Sequence, residues 1–287
     1  MSSTAAERET LIGPDGPWWK LDLAELWHYR DLVALLVRRD ITAVYKQTVL
    51  GPLWHVIQPL LTSFMFALIF GRAAGFAPKE IPGMLFYLSG LVPWFFFANV
   101  VNKTSKTFTA NAALMGKVYF PRLAVPLSVA ISNLVSFGIQ FIAFLVLLVV
   151  YHFMHVGGFS WAPSPALLLL PLLVVLMGLL GLGAGVLISA LTTKYRDLSF
   201  LVGFGVQLLM YASPVIFPLS RLEQFPILLK LFNLNPMTSV IESTRAVFFG
   251  QSIPWEGLGY TSAFTLVLLL LGTAVFNKVE RSFADIV

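Results

Sequence analysis

The chain has 287 residues, 57% of them apolar and only 11% charged, with a mean hydropathy of +0.82. Soluble domains hold roughly 45–50% apolar and 25% charged residues, so a water-soluble enzyme is excluded and an integral membrane protein is expected. The absence of cysteine rules out disulfides, thiolate metal sites and cysteine nucleophiles. A pI near 9.5 does not argue for nucleic acid, because the basic residues lie in loops beside apolar runs, where topology and anionic lipid account for them.

Residues 1–17 read as a disordered polar tail, and MSSTAAERETLIGPDG lacks the apolar core of a cleavable signal. Residues 18–50 are predicted as an amphipathic interface helix, with Asp22 and Glu25 as a capping pair. On a 3.6-residue wheel Leu26, Tyr29, Val33, Leu36, Val37, Ile41 and Val44 share a face, while His28, Asp31, Arg39, Thr42 and Lys46 fall opposite. Asp40 is the exception, near the apolar side. Trp18, Trp19 and Trp27 suit a headgroup region, but the wheel equally allows a helix packed on protein.

A bilayer core takes ~20 largely apolar residues per helix. Six stretches qualify, at about 53–71, 83–102, 123–151, 166–192, 198–219 and 257–276, and none contains Asp, Glu, Lys or Arg. Residues 51–277 are therefore read as a six-span all-α transmembrane domain, and 278–287 as a tail. With the N-terminus inside, fourteen Lys and Arg fall on the inner side and five on the outer, so both termini are expected in the cytoplasm.

This orientation places residues 103–122 inside. The loop carries Lys103, Lys106, Lys117 and Arg122 with no acid, and its middle, 104–115, favours a short surface helix that stops before Pro121. Such a helix either receives a push from a partner or is a solvated loop that only sets topology.

The spans hold neutral polar groups only: Gln58, Asn133, Gln140, Gln207 and His55 near the start of span one. Ion-driven transporters usually keep carboxylates or basic groups at membrane depth, so a secondary transporter is disfavoured. Nor is there a phosphate loop, since Gly116-Lys117 is followed by Val118 and lacks the upstream glycine. No nucleotide, metal or other cofactor is expected on this chain.

Pro93 in span two and Gly203, Gly205, Pro214 and Pro218 in span five predict irregular helices. Gly181 and Gly185 give span four a small face for close helix contact. Between spans five and six, Ser220 and Glu223 read as a capping box broken by Pro226. Asn235 as cap, Pro236 as first helical residue and Gly250 as terminator then define a second short helix. Both are too short to cross, and are expected to dip into the outer interface or cover a pore mouth. Glu242 and Arg245, three apart, can pair.

Aromatic residues, 14% of the chain, allow a channel that packs on the C–H faces of sugars, through Trp54, Phe64, Phe70, Tyr87, Trp94, Phe97, Phe137 and Phe141. Ordinary interfacial and lipid-facing roles explain any one of them as well. His152 and His155 have no acidic partner nearby and read as interfacial rather than as a metal pair.

Four strings, RRDITAVYKQTVLGPLWHVIQPLL (38–61), FPRLAVPLS (120–128), KYRDLSFLVGFGVQLLMYASPVIFPLS (194–220) and NPMTSVIESTRAVFFG (235–250), resemble the polysaccharide-exporting branch of ABC transporter permeases, the exporters of O-antigen, capsule and teichoic acid. The resemblance covers about 26–276. It implies a homodimer in the bacterial inner membrane, joined by two copies of a separate ATPase that carries the ATP and magnesium. It implies a coupling helix drawn from Lys103, Lys106, Thr107, Phe108, Asn111, Met115 and Lys117, an outer gate containing Glu242 and Arg245, and a channel built chiefly by spans one and five. The implied cargo is a glycan on undecaprenyl diphosphate. Arg38, Arg39 and Lys46 are candidates to meet that diphosphate, since guanidinium matches phosphate oxygens bidentately; retention of positive charge inside explains them equally. An ABC exporter of a small lipid or drug shares this fold. An integral-membrane glycan ligase or acyltransferase needs acid and base groups that the loops do not offer.

Overall fold

The structure, a computed structural model, describes residues 23–46, 51–115, 120–194 and 197–283. Over those residues it is helical, without strands. The tail, Trp18, Trp19, Asp22 and Lys117 lie outside them.

Two helices, α1 (Leu23–His28) and α2 (Arg30–Tyr45), precede α3 (Trp54–Phe66), which runs on into a π-helical stretch at Ala67–Ala73. Next come α4 (Gly83–Thr104), α5 (Thr107–Met115), α6 (Ala124–Phe153), α7 (Leu170–Lys194) and α8 (Leu198–Tyr211). The chain ends with α9 (Pro226–Leu234), α10 (Pro236–Phe249) and α11 (Trp255–Phe283). Five of these segments are long and apolar enough to cross a membrane: 51–73, 83–104, 124–153, 165–192 and 255–279.

The bundle is organised on α4, whose most apolar window is 78% buried against 11–33% for the other four, because α6, α7 and α10 all pack on it. Pro93 is accommodated inside α4, fully covered by neighbours. Small residues set the approach distances. A Cβ on Gly181 would stand 3.0 Å from Val100, and one on Gly185 only 2.5 Å from Thr104, so α7 meets α4 through the small face expected from the sequence. On the opposite side of α7, Gly183 faces Gly272 of α11, where an added Cβ would lie 2.8 Å from the Gly183 carbonyl oxygen. Thr192 Oγ1 donates to the Ser105 carbonyl at 2.7 Å and pins the α5-side end of the α4–α7 contact.

The interface helix is broken at Tyr29 (φ −89°, ψ 19°). The middle of its apolar stripe packs on protein: Val33 and Leu36 are buried with Phe108, Phe120, Ala124, Val125, Val186 and Phe276, while Val44 further along the stripe is 38% exposed and Trp27 and Leu35 on other faces stay exposed.

The fifth predicted span is shorter than expected. The 14-residue α8 stops at Tyr211, ahead of Pro214 and Pro218, which cannot continue the backbone hydrogen bonding. Ser220 caps nothing: Leu219–Leu222 form only a short 3-10 turn, and Pro226 opens α9 as its first residue instead of breaking a helix. The proposed capping box is corrected accordingly. By contrast, Asn235 caps α10, its Oδ1 accepting from the Met237 N–H at 3.0 Å, and Gly250 ends it at φ 68°.

Candidate functional site

Three places on this frame carry the residues singled out from the sequence. At one end of the bundle, α5 follows α4 after a two-residue turn and is itself interrupted at Asn111 (φ −118°, ψ 17°). Phe108 holds it down, fully buried and stacked on Phe276 of α11 with ring centroids 4.5 Å apart. Thr107 Oγ1 donates to the Thr104 carbonyl at 2.6 Å, tying the start of α5 to the end of α4. Lys106 points outward. Lys103 turns to the bundle, where its Nζ donates to Asn133 Oδ1 of α6 at 3.0 Å, and Asn133 Nδ2 donates to the Val129 carbonyl at 2.7 Å. Met115 is the last residue of α5.

The N-terminal helix meets this face through Arg39. Its guanidinium donates to Asp40 Oδ1 from Nε at 2.9 Å and Nη2 at 2.8 Å, and Nη2 also reaches Asn111 Oδ1 at 3.5 Å. This explains why Asp40 departs from the amphipathic pattern: it is part of a charged contact joining α2 to α5. The three basic residues considered for a diphosphate are therefore not equivalent. All three are exposed, but Arg39, its side chain at 48%, is also bonded to Asp40 and Asn111.

Across the membrane, the structure separates the aromatic residues into two sets. Tyr87, Trp94 and Phe97 on α4 are buried in the core of the bundle, and Phe137 stacks with Phe141 and packs on Phe96 there. Trp54 and Phe64 on α3 are about half exposed, at 52% and 53%, and Phe70 is partly buried against Phe66. Helix α8 is barer still, with Phe200, Leu201, Phe204 and Leu208 all exposed and Val206 its one buried residue. Exposed apolar side chains are carried by α6, α7, α9 and α11 as well, but the span containing α3 is the least buried of the five, at 11%, and α8 has a single buried residue. Near the N-terminal end of α3, His55 Nε2 lies 3.4 Å from Ser136 Oγ of α6.

On the other face, α10 is a core element and no surface flap, with eleven buried residues between Met237 and Phe248. Arg245 is fully buried. Its Nη1 donates to Glu242 Oε1 at 2.9 Å, its Nη2 to the Val215 carbonyl at 3.1 Å, and its guanidinium carbon lies 3.9 Å from the centroid of the Phe86 ring. Gly90 makes room for it, since a Cβ there would come within 3.0 Å of Nη2. Burial pulls the guanidinium below the usual arginine range, and the Glu242 carboxylate pulls it back up. One side chain therefore binds α10 to α4 and to the segment leaving α8. Asn235 adds a second tie: its Nδ2 donates to the Ala212 carbonyl at 3.1 Å and to Ser213 Oγ at 2.7 Å. The α8 exit is held to the α9–α10 corner from both ends of α10.

Sequence reasoning did not reach several of these partners. Asn133, Asn235 Nδ2 and Gly272 act on residues 30, 22 and 89 positions away, and nothing local encodes such pairings. The signal in hand was a neutral amide inside an apolar span, which has to find a partner. His152 Nδ1 accepts from the Trp161 backbone N–H at 3.1 Å, and among the described residues no group of three His, Asp or Glu is placed to hold a metal ion.

The fold and these contacts define a multi-pass helical membrane protein whose long apolar helices carry charged residues only near their ends, with a polar end built from α2 and α5 and a buried ionic tie at the opposite end. The chain belongs to the ABC-2 type transporter family, which it matches over residues 31–249. It is 30% identical to the O-antigen export system permease protein RfbA of Myxococcus xanthus, over 91% of this chain and 97% of that protein. It is 28% identical to an RfbA permease of Klebsiella pneumoniae, over 89% of this chain and 95% of the relative. It is also 25% identical to the polysialic acid transport protein KpsM of Escherichia coli, over 87% and 94%.

Proposed function

We propose that the chain is the permease subunit of an ATP-driven exporter that carries a lipid-linked polysaccharide across the bacterial inner membrane. The observation that carries this is near end-to-end similarity to permeases named for O-antigen export. Similarity to capsule permeases supports capsular polysaccharide as a second cargo reading.

The physical account begins with what the spans lack. With charged residues only near the ends of its long apolar helices and no nucleotide loop, the chain draws its work from a separate ATPase, which holds the ATP and magnesium. Helix α5 receives that push. Phe108 transmits it to α11 through Phe276, the Thr104–Thr107 bond to α4, and Arg39 to α2. Two copies of the chain enclose the path between their α3 and α8 faces, a placement supported by the α3 span being the least buried of the five and by α8 having a single buried residue. Trp54, Phe64 and Phe70 offer ring surface to sugars along it. Arg38 and Lys46 meet the lipid diphosphate at the inner surface. Arg245 and Glu242 hold the outer gate by fixing α10 to the end of α8. Both termini face the cytoplasm in this scheme.

Deleting the gene in its native host, then restoring it on a plasmid, tests the reading. Loss of surface polysaccharide on deletion, with recovery of an ATPase subunit alongside the tagged chain, is expected. Unchanged surface polysaccharide contradicts the cargo, and a tagged chain that purifies without any nucleotide hydrolase contradicts the coupling.

A further inference from the structure

Where α9, α10 and the start of α11 converge, the structure holds an open cavity of about 630 Å³ whose residues, Glu242 apart, have no role above. This is within the size range of small-molecule sites, roughly 300–1,000 Å³. Its lining joins two aromatic rings, Trp255 and Tyr260, with two carboxylates, Glu242 and Glu256, and the amide of Asn233 and hydroxyl of Thr238. Trp255 is 64% exposed and Tyr260 39%. Tyr260 is fixed at its edge, because its hydroxyl donates to the Leu234 carbonyl at 2.9 Å, which leaves the ring itself as recognition surface. Rings of an ordinary interfacial belt lie against lipid. These two instead share a concave site with hydrogen-bonding groups.

The charge of the site selects its ligand. Glu242 is neutralised by Arg245, and no basic side chain lines the cavity, so Glu256 leaves it net negative. A phosphate or diphosphate is repelled. Flat C–H-rich faces, hydroxyls and, at most, an amino group fit. We infer that this cavity is a sugar-binding subsite, distinct from the α3–α8 path, which takes one or two neutral or amino-substituted pyranose units of the polymer on the outer side of the membrane. The inference rests on the polysaccharide reading and on cytoplasmic termini. Glu242 is shared between cavity and gate. Its Oε1 holds Arg245 while 18% of its side chain stays exposed, so a sugar hydroxyl bonded to that carboxylate loads the partner of Arg245, whose Nη2 donates to the Val215 carbonyl beyond the end of α8.

The test uses the full-length chain with its ATPase partner in lipid nanodiscs, titrated calorimetrically with oligosaccharides released by mild acid from the host's own envelope polysaccharide. Saturable binding is expected, at least tenfold weaker in Trp255→Ala, restored in Trp255→Phe, and indifferent to inorganic phosphate. Absence of saturable binding, equal binding by Trp255→Ala with an unchanged melting temperature, or competition by phosphate overturns the subsite. The gene deletion separates the two claims: surface polysaccharide lost on deletion, together with full binding by Trp255→Ala, sinks the subsite alone, whereas polysaccharide unchanged on deletion sinks the cargo reading with it.

Discussion

Arg245→Met removes three interactions at once: the ion pair to Glu242, the charged hydrogen bond to the Val215 carbonyl, and the face of Phe86. Taken singly, the hydrogen bond is worth about 1.5–3 kcal/mol and the ring contact about 0.5–2 kcal/mol. They do not simply add, and breaking one partner out of a buried pair costs about 3–5 kcal/mol. The exposures decide where in that range each variant falls. Arg245 is 1% exposed and Glu242 18%, so a carboxylate left behind is partly hydrated and Arg245→Met belongs near 3 kcal/mol. Glu242→Gln leaves a fully buried cation but spares its bond to Val215, and its amide oxygen can still accept. The double variant strands no charge, so it should cost less than the two singles together, with a coupling of about 1–3 kcal/mol. At about 2–4 °C per kcal/mol, Arg245→Met lowers the melting temperature of the purified chain by roughly 6–12 °C. A shift within about 2 °C, or strictly additive singles, refutes the view that this pair ties the gate to the bundle.

Gly185→Ala should destabilise by at least 1–3 kcal/mol, because its Cβ would lie 2.5 Å from Thr104, whereas Gly138→Ala, with open space around it, should gain about 0.5–1 kcal/mol. Thermal scans of the two side by side check the α4–α7 contact, and equal shifts contradict it. Asn235→Ala loses the α10 cap and both bonds to the α8 exit, with an expected cost of about 2–3 kcal/mol; Asn235→Asp keeps the cap alone and should recover only part of it. Arg38→Gln, with insertion verified, should lower surface polysaccharide without changing ATP hydrolysis, and unchanged export removes Arg38 from cargo handling. Arg39→Gln should instead leave hydrolysis running with export reduced, since it loosens α2 from Asn111 of α5; full export in that variant rules out the contact as a coupling element.

The long elements were legible from sequence because hydrocarbon admits so few residue types: α3, α4, α6, α7 and α11 lie within a few residues of their expected bounds. The cap at Asn235 and the glycine stop at Gly250 were legible for the same reason, being local stereochemistry. The 14-residue length of α8 was not, because Pro214 and Pro218 permit either a kinked span or an early stop, and the bonds from Asn235 that hold Ala212 and Ser213 after the stop come from 22 residues or more away. For the aromatic residues, Trp54 and Tyr87 look alike in a string of apolar letters. One is half exposed and the other fully buried only because α4 is ringed by α6, α7 and α10. The Glu242–Arg245 pair was visible at its helical spacing; its third partner, Val215, was not.

The account stands most directly on where α5 faces and what sits on it. Because the chain has no native cysteine, Thr109→Cys on the exposed side of α5 and Met154→Cys beyond the far end of α6 report without background. A membrane-impermeant maleimide should label Met154→Cys in spheroplasts and Thr109→Cys only in inverted vesicles, with Thr109→Cys protected when the ATPase partner is bound. Labelling of Thr109→Cys from outside, or equal labelling with and without the partner, contradicts a permease driven through its cytoplasmic face.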